Sequence, residues 1–280
     1  MYINFFKRQY IWYSTSSRKK SRRWIKIFGR FFKMLAKRII LFLTYMDGIL
    51  FRTKKFNADY RYTDSFVSNT YADEIVIVNI SKDTGKNQDL KFFEAITRIT
   101  KNCFVPITVG GKIKNIEQIK NFQSCGADKI LLGTLPYENS EMVNRIISKF
   151  GSQFVILSID VKKNGKSYSV FVNNGKEKVD FNLDDYTKFI LKFNPGEILI
   201  NSIDRDGSLL GFDIDLCKHI KSLSRVPVLA SGGFGNWTHS IEALKSANLD
   251  GICTSNIFHF TEKSLYALKE FLKKEKINVR

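Results

Sequence analysis

The segment VPITVGGKI at 105–113 returns as VPVLASGGFG at 226–235. Pro106 and Pro227 lie 121 residues apart, and Gly110 and Gly232 lie 122 apart. Downstream, GADKILLGT at 126–134 is echoed by NLDGICTSN at 248–256, with Asp128 and Asp250 again 122 apart. The second half of the chain thus copies the first, which marks a duplicated half-domain, so each half must fold alike and the two must share one core.

The content of each half follows from its hydrophobic pattern. Apolar, β-branched runs fall at 39–44, 74–80, 105–109, 128–132, 154–160, 197–202, 226–230 and 250–254. Helical periodicity separates them, for instance at 88–102, 138–149, 213–223 and 237–247. Strands alternating with helices imply parallel βα units. An open doubly wound sheet shares that alternation, but a duplicated four-strand half suits a closed barrel. The expected fold is an α/β class (β/α)8 TIM barrel with an internal half-barrel repeat, over residues 34–280. Such barrels take roughly 250 residues.

Composition sets the limits. The chain is 44% hydrophobic, enough for a full core. Its four cysteines, Cys103, Cys125, Cys217 and Cys253, are far apart with no CxxC pair. They read as reduced thiols of a cytoplasmic protein, with no metal site. The net charge of +18 is uneven: residues 1–33 hold ten Lys/Arg and no acid, and the rest holds 35 basic and 27 acidic residues. A basic, aromatic tail can touch an anionic membrane or nucleic acid. It lacks the apolar stretch of a signal peptide, and Lys33, Lys37 and Arg38 interrupt every run long enough to span a bilayer. Residues 1–33 are read as a disordered basic extension, with Met34 as the natural start and no nucleic-acid role.

In a barrel of this type the chemistry sits at the C-terminal ends of the strands. Those ends carry Thr44, Asn79, Gly110-Gly111-Lys112, Gly133-Thr134, Asp160, Ser202 with Asp206-Gly207-Ser208, Gly232-Gly233 and Ser255-Asn256. Gly-Gly pairs let backbone N–H groups approach an anion, and the following helix N-terminus favours a phosphate. Thr134, Ser255 and Asn256 add side-chain donors. Two such sites related by the repeat imply a ligand with a phosphate at each end. Asp160 ends the apolar strand FVILSID, where an acid is costly to bury unless it works or is paired. It is the expected general acid or base.

Taken together, MLAKRII, MDG, ADEIVIVNI, VPITVGGKI, GADKI, FGSQFVILSIDVK, GEILINSIDRDG, VPVLASGGFGN and IFHF resemble HisF, the cyclase subunit of imidazole glycerol-phosphate synthase. The likeness runs from Met34 to Arg280. It implies no cofactor and a heterodimer with a glutaminase subunit on the N-terminal face of the barrel. Ammonia would then cross the barrel to a bis-phosphate substrate. The resemblance makes Asp160 one of two catalytic aspartates and puts Thr44 where the other belongs. It assigns phosphate binding to Gly110, Gly111, Thr134, Gly207, Gly232, Gly233, Ser255 and Asn256. It further implies an ammonia gate of Arg38, Glu74, Lys129 and Glu197, with Asp128 facing the glutaminase.

Other departures from the family pattern cluster at the C-terminal face. Lys112 replaces a third glycine, Gly133 an asparagine, Asn256 a serine, Arg52 a lysine and Asn79 an aspartate, while Asp47 lies past the strand end. An intact entrance beneath an altered site fits relatives found beside surface-polysaccharide enzymes. These pass ammonia to a sugar amidotransferase that forms an acetamidino group, and that is the first functional reading. The alternative is a genuine cyclase of histidine biosynthesis, which would cleave a ribulosyl-phosphate intermediate. A third, a scaffold that only activates a glutaminase, sits poorly with the retained Asp160 and Gly-Gly pairs.

Overall fold

The computed structural model describes residues 36–62, 71–82, 86–101, 103–255 and 264–280. The basic segment 1–33, Met34 and Asn256 lie outside the described residues. The chain divides into Met1–Ala36 and Lys37–Arg280, and the second unit is described below.

β1 (Arg38–Met46) is followed by an antiparallel hairpin, β2 (Ile49–Lys54) and β3 (Asn57–Tyr62). Then come β4 (Glu74–Asn79), α1 (Lys86–Lys101), β5 (Ile107–Gly110), α2 (Ile116–Ser124) and β6 (Lys129–Leu132). A single turn, α3 (Leu135–Glu138), precedes α4 (Ser140–Phe150). β7 (Val155–Asn164) carries a second hairpin, β8 (Ser167–Val172) and β9 (Glu177–Asn182). The chain ends with α5 (Leu183–Lys192), β10 (Glu197–Ser202), α6 (Ile214–Leu223), β11 (Val228–Ser231), α7 (Trp237–Ile241), β12 (Gly251–Thr254) and α8 (Ser264–Lys274).

The parallel strands bond in the order β10, β11, β12, β1, β4, β5, β6, β7, and β7 pairs back to β10. This closes an eight-stranded parallel barrel with helices between the strands, the expected fold. Both faces of each strand are buried, which is why the strands read as continuous apolar runs. In β1 the odd residues Ile39, Leu41 and Leu43 join an outer core with Phe92, Ile96 and Leu268 of the helices. The even residues Ile40 and Phe42 join an inner core with Val76, Val78, Leu131, Ile156, Leu199, Leu229 and Cys253. All four cysteines are free thiols, Cys217 and Cys253 fully buried.

The repeat is visible in the backbone, in a corrected register. β5 and β11 match at a spacing of 121, so Gly110 corresponds to Ser231, not to Gly232. Gly111 corresponds to Gly232, with φ of +91° and +98°, and Lys112 to Gly233. Asn115 and Asn236, also 121 apart, cap α2 and α7 with the same φ of −150° and ψ of 167°. Two features differ from expectation. The hairpins β2–β3 and β8–β9 follow the first strand of each half where only loops were expected. The helix expected over 237–247 is α7 followed by a π-helical turn at Glu242–Ser246.

Candidate active site on the barrel axis

The inward side chains form three layers. The lowest is a closed ring of charge. Arg38 binds Glu74 at 2.8 Å and Glu197 at 2.7 Å, and Lys129 binds the same two acids at 3.2 and 2.7 Å. Each base touches both acids, so no member can swing away without breaking two contacts. The acids are 4% and 7% exposed, and such burial is tolerated only where charges are paired. Burial is the largest influence on Glu197 and pushes its carboxyl up, but Arg38 and Lys129 together hold it below the usual range. Burial likewise opposes the Arg38 charge and is outweighed by Glu197 and Glu74. All four residues expected at this mouth are therefore in one network. Arg280, unanticipated from the sequence, approaches Glu74 at 3.7 Å as Val279 pairs with Lys37.

Asp128 lies at the same end, exposed, with one carboxylate oxygen accepting the Ile107 N–H at 2.8 Å. Its repeat mate Asp250 takes the Val228 N–H at 2.8 Å, and Asp73 takes the Ile39 N–H at 2.7 Å. These acids tie the start of one strand to the next, a structural role for Asp128 whatever else it meets. Above the ring, Thr108 faces inward between Val76 and Lys129. Its hydroxyl is buried and finds no hydrogen-bond partner among the described residues. Over it lies the apolar layer centred on Ile40, Leu131 and Leu199.

The top layer holds Asp160. Its Oδ1 accepts from Ser158 and from Asn201, both at 2.9 Å. Burial, the dominant influence, raises its pKa; those two donors lower it, and the nearby Asp206 carboxylate raises it further. Thr44 occupies the equivalent place in the first half. It pairs across its hairpin with Phe51 as Asp160 pairs with Phe171. The Thr44 hydroxyl is buried and donates to the Phe51 carbonyl. Asp47 is exposed in the turn beyond and does not stand in for it.

Two cavities open on this layer. The larger, about 620 Å³, is lined by Gly111, Lys112, Gly133, Thr134, Asp160 and Asn201, among others. The smaller, about 30 Å³, is lined by Gly207, Gly232, Gly233 and Ser255. The expected phosphate residues thus fall into two groups on either side of the axis. Gly110 is the exception. It belongs to β5, and a Cβ there would lie 2.9 Å from Leu131 Cβ, so its smallness serves strand packing. Thr134 accepts the Asn173 N–H at 3.0 Å and keeps its own O–H to donate. Lys112 Nζ donates to the Lys82 carbonyl at 3.0 Å, which holds its charge at the rim.

Three site residues were not singled out by sequence. Ser158 shares the inward face of β7 with Asp160, which the period of two reveals once that face is known. Asn201 required the β7–β10 register. Asp206, noted only as part of a strand-end motif, lines both cavities. Its carboxylate accepts from Thr53 Oγ1 at 3.1 Å and from the Phe56 N–H at 2.9 Å, which pins the β2–β3 hairpin over the barrel mouth. Burial raises its pKa, opposed by Phe56, Thr53 and Arg52. Arg52 itself pairs with Asp59, and Asn79 caps the Ser81 N–H at 3.0 Å. Among the described residues no three His, Cys, Asp or Glu gather as metal ligands, and no helix is long and apolar enough to cross a membrane.

Comparison with known proteins agrees with this geometry. The family model described as histidine biosynthesis protein matches residues 44–264. The imidazole glycerol phosphate synthase subunit HisF of Dictyoglomus turgidum is 37% identical over 254 residues, 88% of this chain and 99% of the relative. The HisF subunit of Chlorobium phaeobacteroides strain BS1 is 33% identical over 253 residues, 88% of this chain and all of its own length. That of a Thermotoga species, strain RQ2, is 34% identical over 252 residues, 88% and 98%. With a family model over most of the barrel and relatives covered almost end to end, the chain belongs to the HisF group of histidine biosynthesis proteins.

Proposed function

We propose that this chain is the cyclase subunit of an imidazole glycerol phosphate synthase, an enzyme working with a glutaminase partner. Ammonia from the partner enters through the charged ring and reacts at the opposite mouth with a substrate carrying a phosphate at each end. The observation that carries the reading is axial. Asp160 stands buried at the top of the same apolar interior whose base the ring closes. An apolar passage favours neutral ammonia over ammonium, because an unpaired ion pays a large desolvation cost there. At the top, ammonia meets a carboxyl that burial pushes above its ordinary range, placed where it can trade protons with substrate.

The two cavities support a bis-phosphate ligand, with Gly111, Lys112 and Thr134 at one end and Gly232, Gly233 and Ser255 at the other. Asp128 and the ring residues face the end where the glutaminase would dock. The names of the relatives support this cyclase reading over sugar amidation, the reading first favoured from the sequence. One observation keeps a second reading in play. Thr44 is neutral and its hydroxyl is committed to Phe51, so the first strand supplies neither acid nor base. A barrel that only conducts ammonia to a separate acceptor enzyme would look like this at position 44.

The test uses the purified chain, an ammonium salt and the ribulosyl-phosphate intermediate, with and without a glutaminase subunit and glutamine. Consumption of the intermediate with ammonium alone is the expected result. Stimulated glutaminase activity with no consumption under either condition would remove the cyclase and leave a barrel that activates its glutaminase or conducts ammonia to another enzyme.

A further inference from the structure

If the proposed reaction stands, it poses a question that the named residues leave open. Adding ammonia to a carbonyl carbon forms a C–N bond and moves one proton from nitrogen to oxygen; a second such proton transfer breaks the C–O bond and expels the oxygen as water. One group must take a proton from nitrogen while another gives one to oxygen, with no net change. Asp160 is one such group, and Thr44 cannot be the other.

We propose that Asp206 is the second catalytic residue, working opposite Asp160 in the role that position 44 leaves vacant. Five residues line both cavities: Phe42, Thr44, Thr53, Asp206 and Ser231. Asp206 is the one carboxylate among them, so of these five it is the one placed to exchange a proton with a ligand that bridges the two anion sites. It lies close enough to Asp160 for its charge to be felt there. The Thr53 hydroxyl and Phe56 N–H take one lone pair on each carboxylate oxygen and fix the plane of the group. An ionised carboxylate has about four acceptor sites, so at least one per oxygen is left for substrate. The charged side chains that face it are Arg52 from β2 and Asp160 from β7. The hairpin contact that pins the lid therefore also orients the proton carrier.

The experiment measures kcat, KM and the pH profile with ammonium and the ribulosyl-phosphate intermediate, for the full chain and three variants. Asp206→Asn is expected to lower kcat by about 10²–10⁴-fold with little change in KM, and to remove one carboxylate limb from the pH profile. Asp206→Ala should recover activity on addition of formate, which restores a carboxylate and no packing. Thr44→Asp placed on Asp206→Asn should regain at least about tenfold, roughly 1.4 kcal/mol of barrel-mouth catalysis. A rate loss with an unchanged pH profile and no response to formate would make Asp206 a latch for the hairpin and overturn the proposal. Wild-type rates in Asp206→Asn would overturn it too, leaving the cyclase reading intact. An inactive parent chain would overturn the cyclase reading, and this inference with it.

Discussion

At the scale of single residues, Thr44 and Asp160 show how one position can be read and another only completed by the structure. Both face inward beside a hairpin phenylalanine, yet one is a hydroxyl bound to a backbone carbonyl and the other a buried carboxyl. Asp160→Asn keeps an acceptor for Ser158 and Asn201 but cannot trade a proton. Turnover with ammonium is expected to fall by about 10²–10⁴-fold. The same variant should be more stable than the parent at neutral pH, read by thermal unfolding. Burial raises the folded pKa of Asp160, so the folded state binds the proton more tightly than the unfolded chain. The charged form therefore costs stability above the ordinary carboxylate pKa, and that cost disappears as pH falls below it. An unstable Asp160→Asn would mean the carboxylate is structural. Asp160 was legible because an acid ending an apolar strand is anomalous. Ser158 and Asn201 were not, because small polar residues at strand ends carry no such signal.

At the scale of elements, the repeat dictated both strand order and the positions of the Gly-Gly turns, but not their register. A gap of one residue separates the spacing of β5 from β11 and that of β6 from β12, and composition alone cannot say where it falls. The backbone locates it. A Cβ on Gly111 would lie 2.2 Å from the Asn79 carbonyl oxygen, and one on Gly232 would lie 2.7 Å from that of Ser202. Both residues hold positive φ. Gly111→Ala and Gly232→Ala are each expected to cost about 1–3 kcal/mol or more in urea unfolding, from strain and backbone clash together. Gly151→Ala, whose Cβ would meet nothing within 4 Å, should lose less. Equal losses at all three would show that the close approaches do not matter. The hairpins escaped notice because FRTKKFNADY and VKKNGKSY are short, charged and half-exposed, so neither carries the apolar run that marks a barrel strand.

At the scale of the molecule, a charged ring, an apolar interior and a carboxylate layer share one axis. The ring is where the whole barrel should respond to pH. Glu197 is held below its ordinary range despite burial, so its contribution is present at neutral pH and is lost as pH falls through the lowered value. Glu197→Gln leaves Arg38 and Lys129 with half their partners and is expected to destabilise the barrel by about 3–5 kcal/mol at neutral pH. The deficit should shrink on acidification, followed by thermal unfolding across pH. A deficit that grew would contradict the pairing. The central claim is that nitrogen entering this ring is used at the Asp160 layer. The most direct measurement supplies the chain and its glutaminase with amide-labelled glutamine in excess unlabelled ammonium, and follows the label into product. Labelled product is the expected result; product carrying only unlabelled nitrogen would contradict passage through the barrel.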